Sequence, residues 1–261
     1  MKKLSVIFTL LLCLNLYSQD KIGLVQYGHK QSMGMGAPIG VDYNATLTFD
    51  NSKSLYTYAK DSLEGGHVNK SVIIKKDKDN VFVKPKRTSK NGYRVYVQLN
   101  KEMQSRNKGY SYVKEEVPKI EWKISNDKKN IGNFECIKAT GSFRGRNYIA
   151  WFTKSIPLAY GPWKLQGLPG LILEAYDTNK EVYFYFKSIK YPLKEKIEIP
   201  QLNPDTENQK WISFDEYKVL LKSIHSKNIQ NGRLVAENYD GAGTEENEMP
   251  MKNFFIEAFD E

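Results

Sequence analysis

The sequence predicts a mainly β protein: a curved antiparallel meander sheet, forming a half-barrel or partly closed barrel, with one amphipathic C-terminal helix packed on it. Aromatic residues make up 13% of the chain, and several stretches alternate apolar and polar side chains with a period of two. Short turn signals separate these stretches, as expected for strands joined by hairpins. A sheet of so many strands curves or partly closes, because large twisted sheets do not stay flat.

The clearest predicted strand is 41–49, where five apolar side chains alternate with four polar ones. The same alternation occurs at 93–99 and 120–124. Further candidate strands are 71–75, 80–84, 110–117, 132–140, 147–153, 171–177 and 181–191. Turns are predicted at 127–130, 141–147 and 177–179, which are rich in Gly, Asn and Asp.

One helix is predicted near the C-terminus. Ser213 and Glu216 have the spacing of a capping box, and apolar residues follow on one face with helical periodicity. Asn231-Gly232 predicts the end of the helix. Segments 194–210 and 240–250 are polar and are predicted to be loops.

The N-terminus predicts export. Lys2 and Lys3 precede an apolar stretch at 4–16, and the small residue Ser18 follows. This pattern is typical of a secretory signal peptide over 1–18, and the apolar stretch is shorter than the ~20 residues of a membrane span. We therefore expect one β-rich domain over 19–261, located in the periplasm or at the outer membrane, with Cys136 as its single thiol.

Motifs for catalysis and cofactor binding are absent from the sequence. The three histidines are scattered without metal-ligand spacing, and no nucleophile elbow, phosphate loop or dinucleotide fingerprint occurs. We therefore expect no cofactor, no metal and no enzymatic activity. The formal net charge of +9 lies partly in short basic clusters. In an exported protein these predict solvated strand edges or peripheral contact with an anionic membrane surface, and not nucleic-acid binding.

The stretch 151–174 contains the hexapeptide GLPGLI at 167–172, preceded by IP and GPW elements. It resembles the signature of the GLPGLI family, and the resemblance extends upstream through Arg146 and Arg144 to Cys136. The resemblance implies an exported envelope protein of a Gram-negative bacterium. Because that family has no assigned molecular function, the resemblance implies a compartment and no mechanism.

Residues 154–170 form a long connection that two interpretations explain. In one, the connection is a conformational lock that closes the core, with Pro169-Gly170 in a type II turn and 171–173 in a strand covered on both faces. The residues assigned to this structural turn are Gly161, Pro162, Gly167, Leu168, Pro169, Gly170, Leu171 and Ile172. In the other, aromatic and basic side chains contact a ligand or partner, and the candidates are Trp151, Tyr160, Trp163, Arg144 and Arg146.

The leading functional hypothesis is a non-catalytic envelope protein that binds an apolar ligand or an extended polypeptide. An alternative is an accessory subunit that docks on an outer-membrane transporter through basic strand edges, and a third is a hydrolase. A carrier predicts a continuous apolar cavity, a docking protein predicts a filled interior with an exposed apolar patch, and an enzyme predicts converging titratable groups. The sequence does not identify the ligand, the partner or the oligomeric state.

Overall fold

The structure is a computed structural model. It describes residues 21–34, 39–60, 62–63, 74–77, 80–83, 92–107, 111–204, 209–237 and 249–259. The predicted signal peptide lies outside the described residues, as do most of the loop predicted at 240–250 and parts of the strands predicted at 71–75 and 80–84.

The described residues form fourteen strands, one α-helix and one short 3-10 helix. The strands are β1 (Gly23–Gln31), β2 (Ile39–Phe49), β3 (Lys53–Tyr58), β4 (Ile74–Asp77), β5 (Asn80–Val83), β6 (Tyr93–Gln98), β7 (Glu102–Arg106), β8 (Tyr112–Glu115), β9 (Lys123–Ile131), β10 (Phe134–Phe143), β11 (Arg146–Thr153), β12 (Leu171–Asp177), β13 (Val182–Lys190) and β14 (Trp211–Ser213). The α-helix is α1 (Phe214–Glu237), and the 3-10 helix is Met251–Asn253.

The predicted mainly β fold is confirmed as one mixed, open sheet. Its strand order is β14-β8-β7-β6-β3-β2-β1-β13-β12-β11-β10-β9, and the hairpin β4–β5 joins it through β5 and β2. All neighbouring pairs are antiparallel except β14 with β8 and β2 with β5. The sheet does not close, since β14 and β9 lie at its opposite ends.

Consecutive hairpins build most of the sheet, as predicted, but β1 departs from this pattern. It pairs with β2 on one side and with β13 on the other. The N-terminal strand therefore lies in the middle of the sheet and joins two meanders, β1–β8 and β9–β13.

Three details of the predicted elements are wrong. The predicted turn at 127–130 lies inside β9, which ends at a tight turn whose first residue, Gly132, has a positive φ of 55°. β9 is an edge strand with mostly exposed side chains. Its polar sequence is therefore compatible with a strand as well as with a turn. The strand predicted to begin at 120 begins only at Lys123, and strands β1, β3, β7 and β14 were not predicted.

The capping box of α1 is confirmed. The Ser213 hydroxyl accepts a hydrogen bond from the Glu216 backbone N–H at 3.2 Å, and the Glu216 carboxylate accepts one from the Ser213 N–H at 2.7 Å. The helix does not end at Asn231-Gly232, as predicted, but continues to Glu237. Tyr217 and Leu221 pack α1 against Val113 of β8 and against the C-terminal segment, residues 249–259. No helix in the described part of the chain has the length and hydropathy to span a bilayer.

Candidate functional site: a tyrosine-lined cavity beside a buried ion cluster

The connection between β11 and β12, residues 154–170, folds into a compact loop held by its own backbone. Within the loop, Gly167 N–H donates to the Ala159 carbonyl at 3.0 Å. At its end, Leu171 N–H donates to Ile156 and Ile172 N–H donates to Tyr160, at 3.0 and 2.9 Å. Residues 160–166 are all buried, so the loop is part of the core. The predicted strand at 171–173 is buried on both faces, as expected.

The Pro169-Gly170 turn differs from the predicted type II turn. Gly170 N–H donates to the Leu168 carbonyl at 2.7 Å, which closes a tighter three-residue turn around Pro169. Gly170 has a φ of 159°, close to extended backbone. A Cβ atom at Gly170 would lie 2.1 Å from the Thr153 carbonyl oxygen. The glycine is therefore required by this close approach and not by a left-handed conformation.

Trp163 lies in both the core and the cavity wall. Its ring stacks on Phe184 with 6.4 Å between ring centroids and meets Phe143 edge-on at 5.8 Å, and the residue is 3% exposed. Its backbone has a positive φ of 56°, which costs a non-glycine residue of order 1–3 kcal/mol. The two interpretations of the loop therefore coincide at Trp163, which closes the core and lines a cavity.

The next residue, Lys164, is fully buried at the centre of an ion cluster. Its ammonium lies 2.7 Å from Glu257 Oε1 and 3.2 Å from Glu115 Oε1. Arg144 forms a second cation of the cluster, since its Nη2 donates to Glu115 Oε2 and its Nε lies 3.6 Å from Glu257 Oε1. The two cations are balanced by two carboxylates. Buried charges require such pairing, because each has lost its hydration.

A small cavity adjoins this cluster. Its volume is about 130 Å³. Aromatic side chains from the sheet, the loop, the helix and the C-terminal segment surround it, together with two amides and one carboxylate. The lining residues are Gln31, Met33, Tyr43, Tyr58, Tyr93, Asn107, Trp163, Tyr217, Phe254, Phe255, Ile256 and Glu257.

Among the described residues that line this cavity, Glu257 is the only carboxylate, and one of its oxygens has no hydrogen-bond partner there. The residue is 1% exposed, and Oε1 accepts from Lys164, whereas Oε2 has no hydrogen-bond partner among the described residues. Burial, followed by the charge of Glu257, holds the pKa of the Tyr217 hydroxyl well above its usual range. Tyr217 is therefore a neutral phenol beside the carboxylate of Glu257.

His29 lies behind the cavity wall within a cluster of aromatic rings. Its ring is 4.1 Å from Tyr58 and 4.6 Å from Phe184 between centroids, and it is fully buried. Its Nε2 lies 2.8 Å from the Gln31 amide nitrogen, so Nε2 accepts and Nδ1 carries the proton towards the Tyr56 hydroxyl at 3.2 Å. Burial lowers the pKa of His29 to about 3, so the imidazole is neutral at physiological pH.

The two arginines predicted as candidate contacts lie in internal interactions. Arg146 donates to Asp177 Oδ2 at 2.5 Å, to Glu181 Oε2 at 2.9 Å and to the Phe255 carbonyl at 3.0 Å. Ala258 N–H donates to the Arg144 carbonyl at 3.0 Å. Both arginines therefore hold the C-terminal segment that carries Glu257 in place.

The other two aromatic candidates lie apart from the cavity lining. Tyr160 is 1% exposed and its ring lies 6.0 Å from that of Phe49. Trp151 is partly buried and has the Lys129 ammonium 4.5 Å above its ring. Of the four aromatic and basic candidates other than Trp163, none is among the residues that line the cavity.

Cys136 is fully buried on β10, and burial raises the pKa of its thiol to about 11. A buried, protonated thiol is a weak nucleophile. We therefore expect Cys136 to react slowly with thiol reagents in the folded protein.

A second depression lies on the surface of the protein, beside the loop formed by residues 154–170 (the motif loop). Its volume is about 510 Å³, and it is lined in part by Lys101, Glu116, Lys119 and Gln166. This lining is charged and polar, unlike the continuous apolar cavity that a lipid carrier predicts.

Glu115, Lys164, Tyr217 and Glu257 were not predicted as site residues. They come from β8, the loop, α1 and the C-terminal segment. Because these segments are far apart in the sequence, no motif or residue spacing predicts that the four side chains lie together. One local signal was available at Lys164, a lone charge inside the apolar stretch Trp163 to Leu165. Such a charge is buried only when it is paired.

Comparisons with known proteins give a match of one segment to a family model and no activity. Residues 144–174 match the model of a family described as proteins of unknown function (Porph_ging). This region contains Arg144, Arg146, Trp163 and Lys164. A search of curated proteins finds no match.

Two solved structures resemble the fold distantly. One, described as PNGF-II in space group P21, has a TM-score of 0.47 and 14% sequence identity, and the alignment covers 76% of this chain and 32% of that one. A second, PNGF-II in space group C2, has a TM-score of 0.44 and 13% identity, with 74% and 30% covered. The chain thus spans about a third of the length of the solved structures it matches, and likeness at this level says nothing of ligand or activity.

Proposed function

We propose that the protein is a GLPGLI-type envelope protein, exported to the periplasm or outer membrane, that binds an extended polypeptide without catalysing a reaction. Two observations support the family and compartment: the GLPGLI hexapeptide lies within the region that matches a family of unknown function, and residues 1–18 have a signal-peptide pattern. N-terminal sequencing of protein recovered from the envelope tests export, with Gln19 as the expected first residue. Recovery with Met1 intact contradicts it.

The observation that carries the binding proposal is the cavity with the unsatisfied Glu257 oxygen. A buried acceptor without a partner is costly, so such a group in a cavity favours a ligand that supplies a donor. Five aromatic residues from the sheet, the loop and the helix line the same space: Tyr43, Tyr58, Tyr93, Trp163 and Tyr217.

Cavity size favours one of the two ligands that the sequence left open, the extended polypeptide. Small-molecule sites usually enclose about 300–1,000 Å³, whereas this cavity encloses about 130 Å³. That volume suits one side chain better than a lipid chain. A polypeptide can insert one side chain and leave its backbone outside, so the extended polypeptide is the better-supported ligand.

The two alternative functions have less support. Docking on a transporter would use basic side chains at strand edges. Two of the candidates, Arg144 and Arg146, instead form ion pairs with carboxylates of the same chain. A hydrolase requires an available acid or base, and Glu115 and Glu257 each contact Lys164.

An array of random-sequence decapeptides tests the binding proposal with variants of the mature protein. Ile256 is a half-buried residue of the cavity lining, so Ile256→Trp should fill the cavity and weaken peptide capture at least tenfold. Ile124→Trp places the same ring on the exposed edge strand β9 and serves as the matched control. Equal capture by wild type and Ile256→Trp, or no capture by either, contradicts the proposal.

A further inference from the structure

The walls of the cavity have the chemistry of a cation site. Tyr43 comes from β2, Tyr58 from β3 and Tyr93 from β6, and Trp163 and Tyr217 complete the lining from the loop and the helix. Tyr58 and Tyr93 stack with 4.9 Å between their centroids. Aromatic faces carry negative electrostatic potential and attract ammonium and guanidinium groups within about 6 Å.

The chain itself already uses two of these rings in this way. The Lys164 ammonium lies 6.0 Å from the Trp163 ring centroid and 5.8 Å from that of Tyr217. These rings therefore sit at cation–π distance from a buried ammonium, even though they also border the cavity.

Glu257 adds a directional acceptor to the aromatic walls. Its Oε1 is occupied by Lys164, and its Oε2 has no hydrogen-bond partner in the described part of the chain, although the residue is 1% exposed. An incoming N–H or O–H donor would satisfy this oxygen. An incoming carboxylate would be repelled by the negative charge of Glu257.

The charges of the neighbouring ion cluster balance one another. Lys164 and Arg144 are balanced by Glu115 and Glu257. His29, behind the wall, is neutral because burial lowers its pKa to about 3. The remaining polar residues of the lining, Gln31 and Asn107, are uncharged amides.

Volume limits the size of the cation. An apolar cavity of about 150 Å³ accommodates benzene, so the 130 Å³ available here suits a group of five or six heavy atoms. The end of a lysine side chain, a butylammonium, has this size.

We propose that the cavity binds the primary ammonium end of a lysine side chain, with the ammonium between the tyrosine faces and one N–H donated to Glu257 Oε2. The inference rests on the proposed function and specifies which side chain of the polypeptide enters. No covalent step is involved.

The test is a calorimetric titration of the mature protein with three capped amino acids: Nα-acetyl-lysine methylamide, its norleucine counterpart and its glutamate counterpart. Norleucine matches the apolar stem of lysine without the ammonium. We expect the lysine derivative to bind at least tenfold more tightly than norleucine and the glutamate derivative not to bind. Equal or tighter binding of norleucine overturns the inference.

Variants separate the contributions of charge and ring. Glu257→Gln should reduce binding of the lysine derivative at least tenfold, whereas Glu135→Gln, which removes a carboxylate from an exposed ion pair, should leave it unchanged. Because Glu257→Gln also removes a partner of Lys164, a second pair of variants at the partly buried Tyr93 avoids the ion cluster. Tyr93→Phe should retain the preference for lysine over norleucine and Tyr93→Leu should lose it. Equal preferences in the two Tyr93 variants contradict a cation–π site.

The outcomes distinguish this inference from the proposed function. If norleucine binds as well as lysine and Ile256→Trp abolishes both, the cavity takes an apolar side chain and only the ammonium inference fails. If none of the three derivatives binds and Ile256→Trp leaves peptide capture intact, both fail.

Discussion

The backbone of Gly170 lies against the Thr153 carbonyl, where a Cβ atom would come within 2.1 Å of the oxygen. Backbone atoms at both ends of this contact cannot move without disturbing β11 and β12, which flank the loop. We expect Gly170→Ala to lower the free energy of unfolding by about 1–3 kcal/mol, as overpacking does in well-packed cores. Urea denaturation measures the change.

Gly232 provides the control for Gly170. It lies within α1, and apart from its chain neighbours and the adjacent helix backbone, no atom of the described residues lies within 4 Å of an added Cβ. Alanine is favoured over glycine inside helices, so Gly232→Ala should raise stability by about 0.5–1 kcal/mol. If both substitutions had the same effect, the close approach at Gly170 would not be the reason for its glycine.

His29 makes the stability of the protein depend on pH. Burial lowers its pKa from 6.5 to about 3, so the unfolded state binds a proton between these values and the folded state does not. Stability is therefore fully present above pH 6.5 and is lost as the pH falls, by about 1.4 kcal/mol per pH unit down to pH 3.

Replacing His29 tests this dependence. Between pH 6 and 4, His29→Gln should reduce the slope of unfolding free energy against pH by about 1.4 kcal/mol per unit. Gln26→Asn, at an exposed position without a titratable group on the same strand as His29, is the control and should leave the slope unchanged. An unchanged slope in His29→Gln would show that carboxylates alone account for the acid sensitivity.

At the scale of elements, the capping box of α1 offers a local test. Ser213→Ala removes the hydroxyl that accepts from Glu216 N–H, and we expect a loss of about 1 kcal/mol. Ser226→Ala is the control, because the Ser226 hydroxyl only donates to the Lys222 carbonyl inside the helix and alanine has the higher helix propensity. Thermal unfolding followed by circular dichroism measures both. A cap that contributed nothing would leave Ser213→Ala as stable as Ser226→Ala.

The elements that sequence patterning predicted are those whose burial is one-sided or complete. Strand β2 alternates because one of its faces is more deeply buried, and 171–173 is uniformly apolar because both faces are buried. Strand β7 was missed because Gln104, Ser105 and Arg106 are polar yet buried, which inverts the usual pattern. Strand β1 was missed because Gly28 and His29 interrupt it, and their burial depends on distant partners in β3 and β13.

The loop motif shows the same division between local and distant information. Local sequence predicted a tightly folded connection and an obligatory glycine at 170. It did not predict which turn forms, since that depends on the Ile156 carbonyl accepting the Leu171 N–H. Among the cavity residues only Trp163 was predicted, because Glu257 approaches from a segment 94 positions away in the sequence.

At the scale of the whole molecule, the ion cluster links β8, the β10–β11 turn, the motif loop and the C-terminal segment through Glu115, Arg144, Lys164 and Glu257. Lys164→Ala removes one of the two cations that pair with the buried carboxylates of Glu115 and Glu257. We expect it to cost about 3–5 kcal/mol of stability, measured by urea denaturation.

Lys128→Ala is the matched control for the cluster. Lys128 pairs with Glu135 at 3.0 Å, but the two side chains are 56% and 61% exposed. Exposed pairs contribute little, so the loss should stay below about 1 kcal/mol. Equal losses in the two variants would mean that the cluster does not join the segments of the fold.

The central claim is that a polypeptide side chain enters the tyrosine-lined cavity, and methionine-methyl NMR tests it most directly. Met33 lines the cavity, whereas Met103 is fully buried on β7 and is not among the lining residues. With methyl-labelled methionine, addition of the decapeptide that binds most tightly on the array should shift the Met33 signal and leave the Met103 signal in place. Saturable peptide binding with an unmoved Met33 signal would contradict the claim.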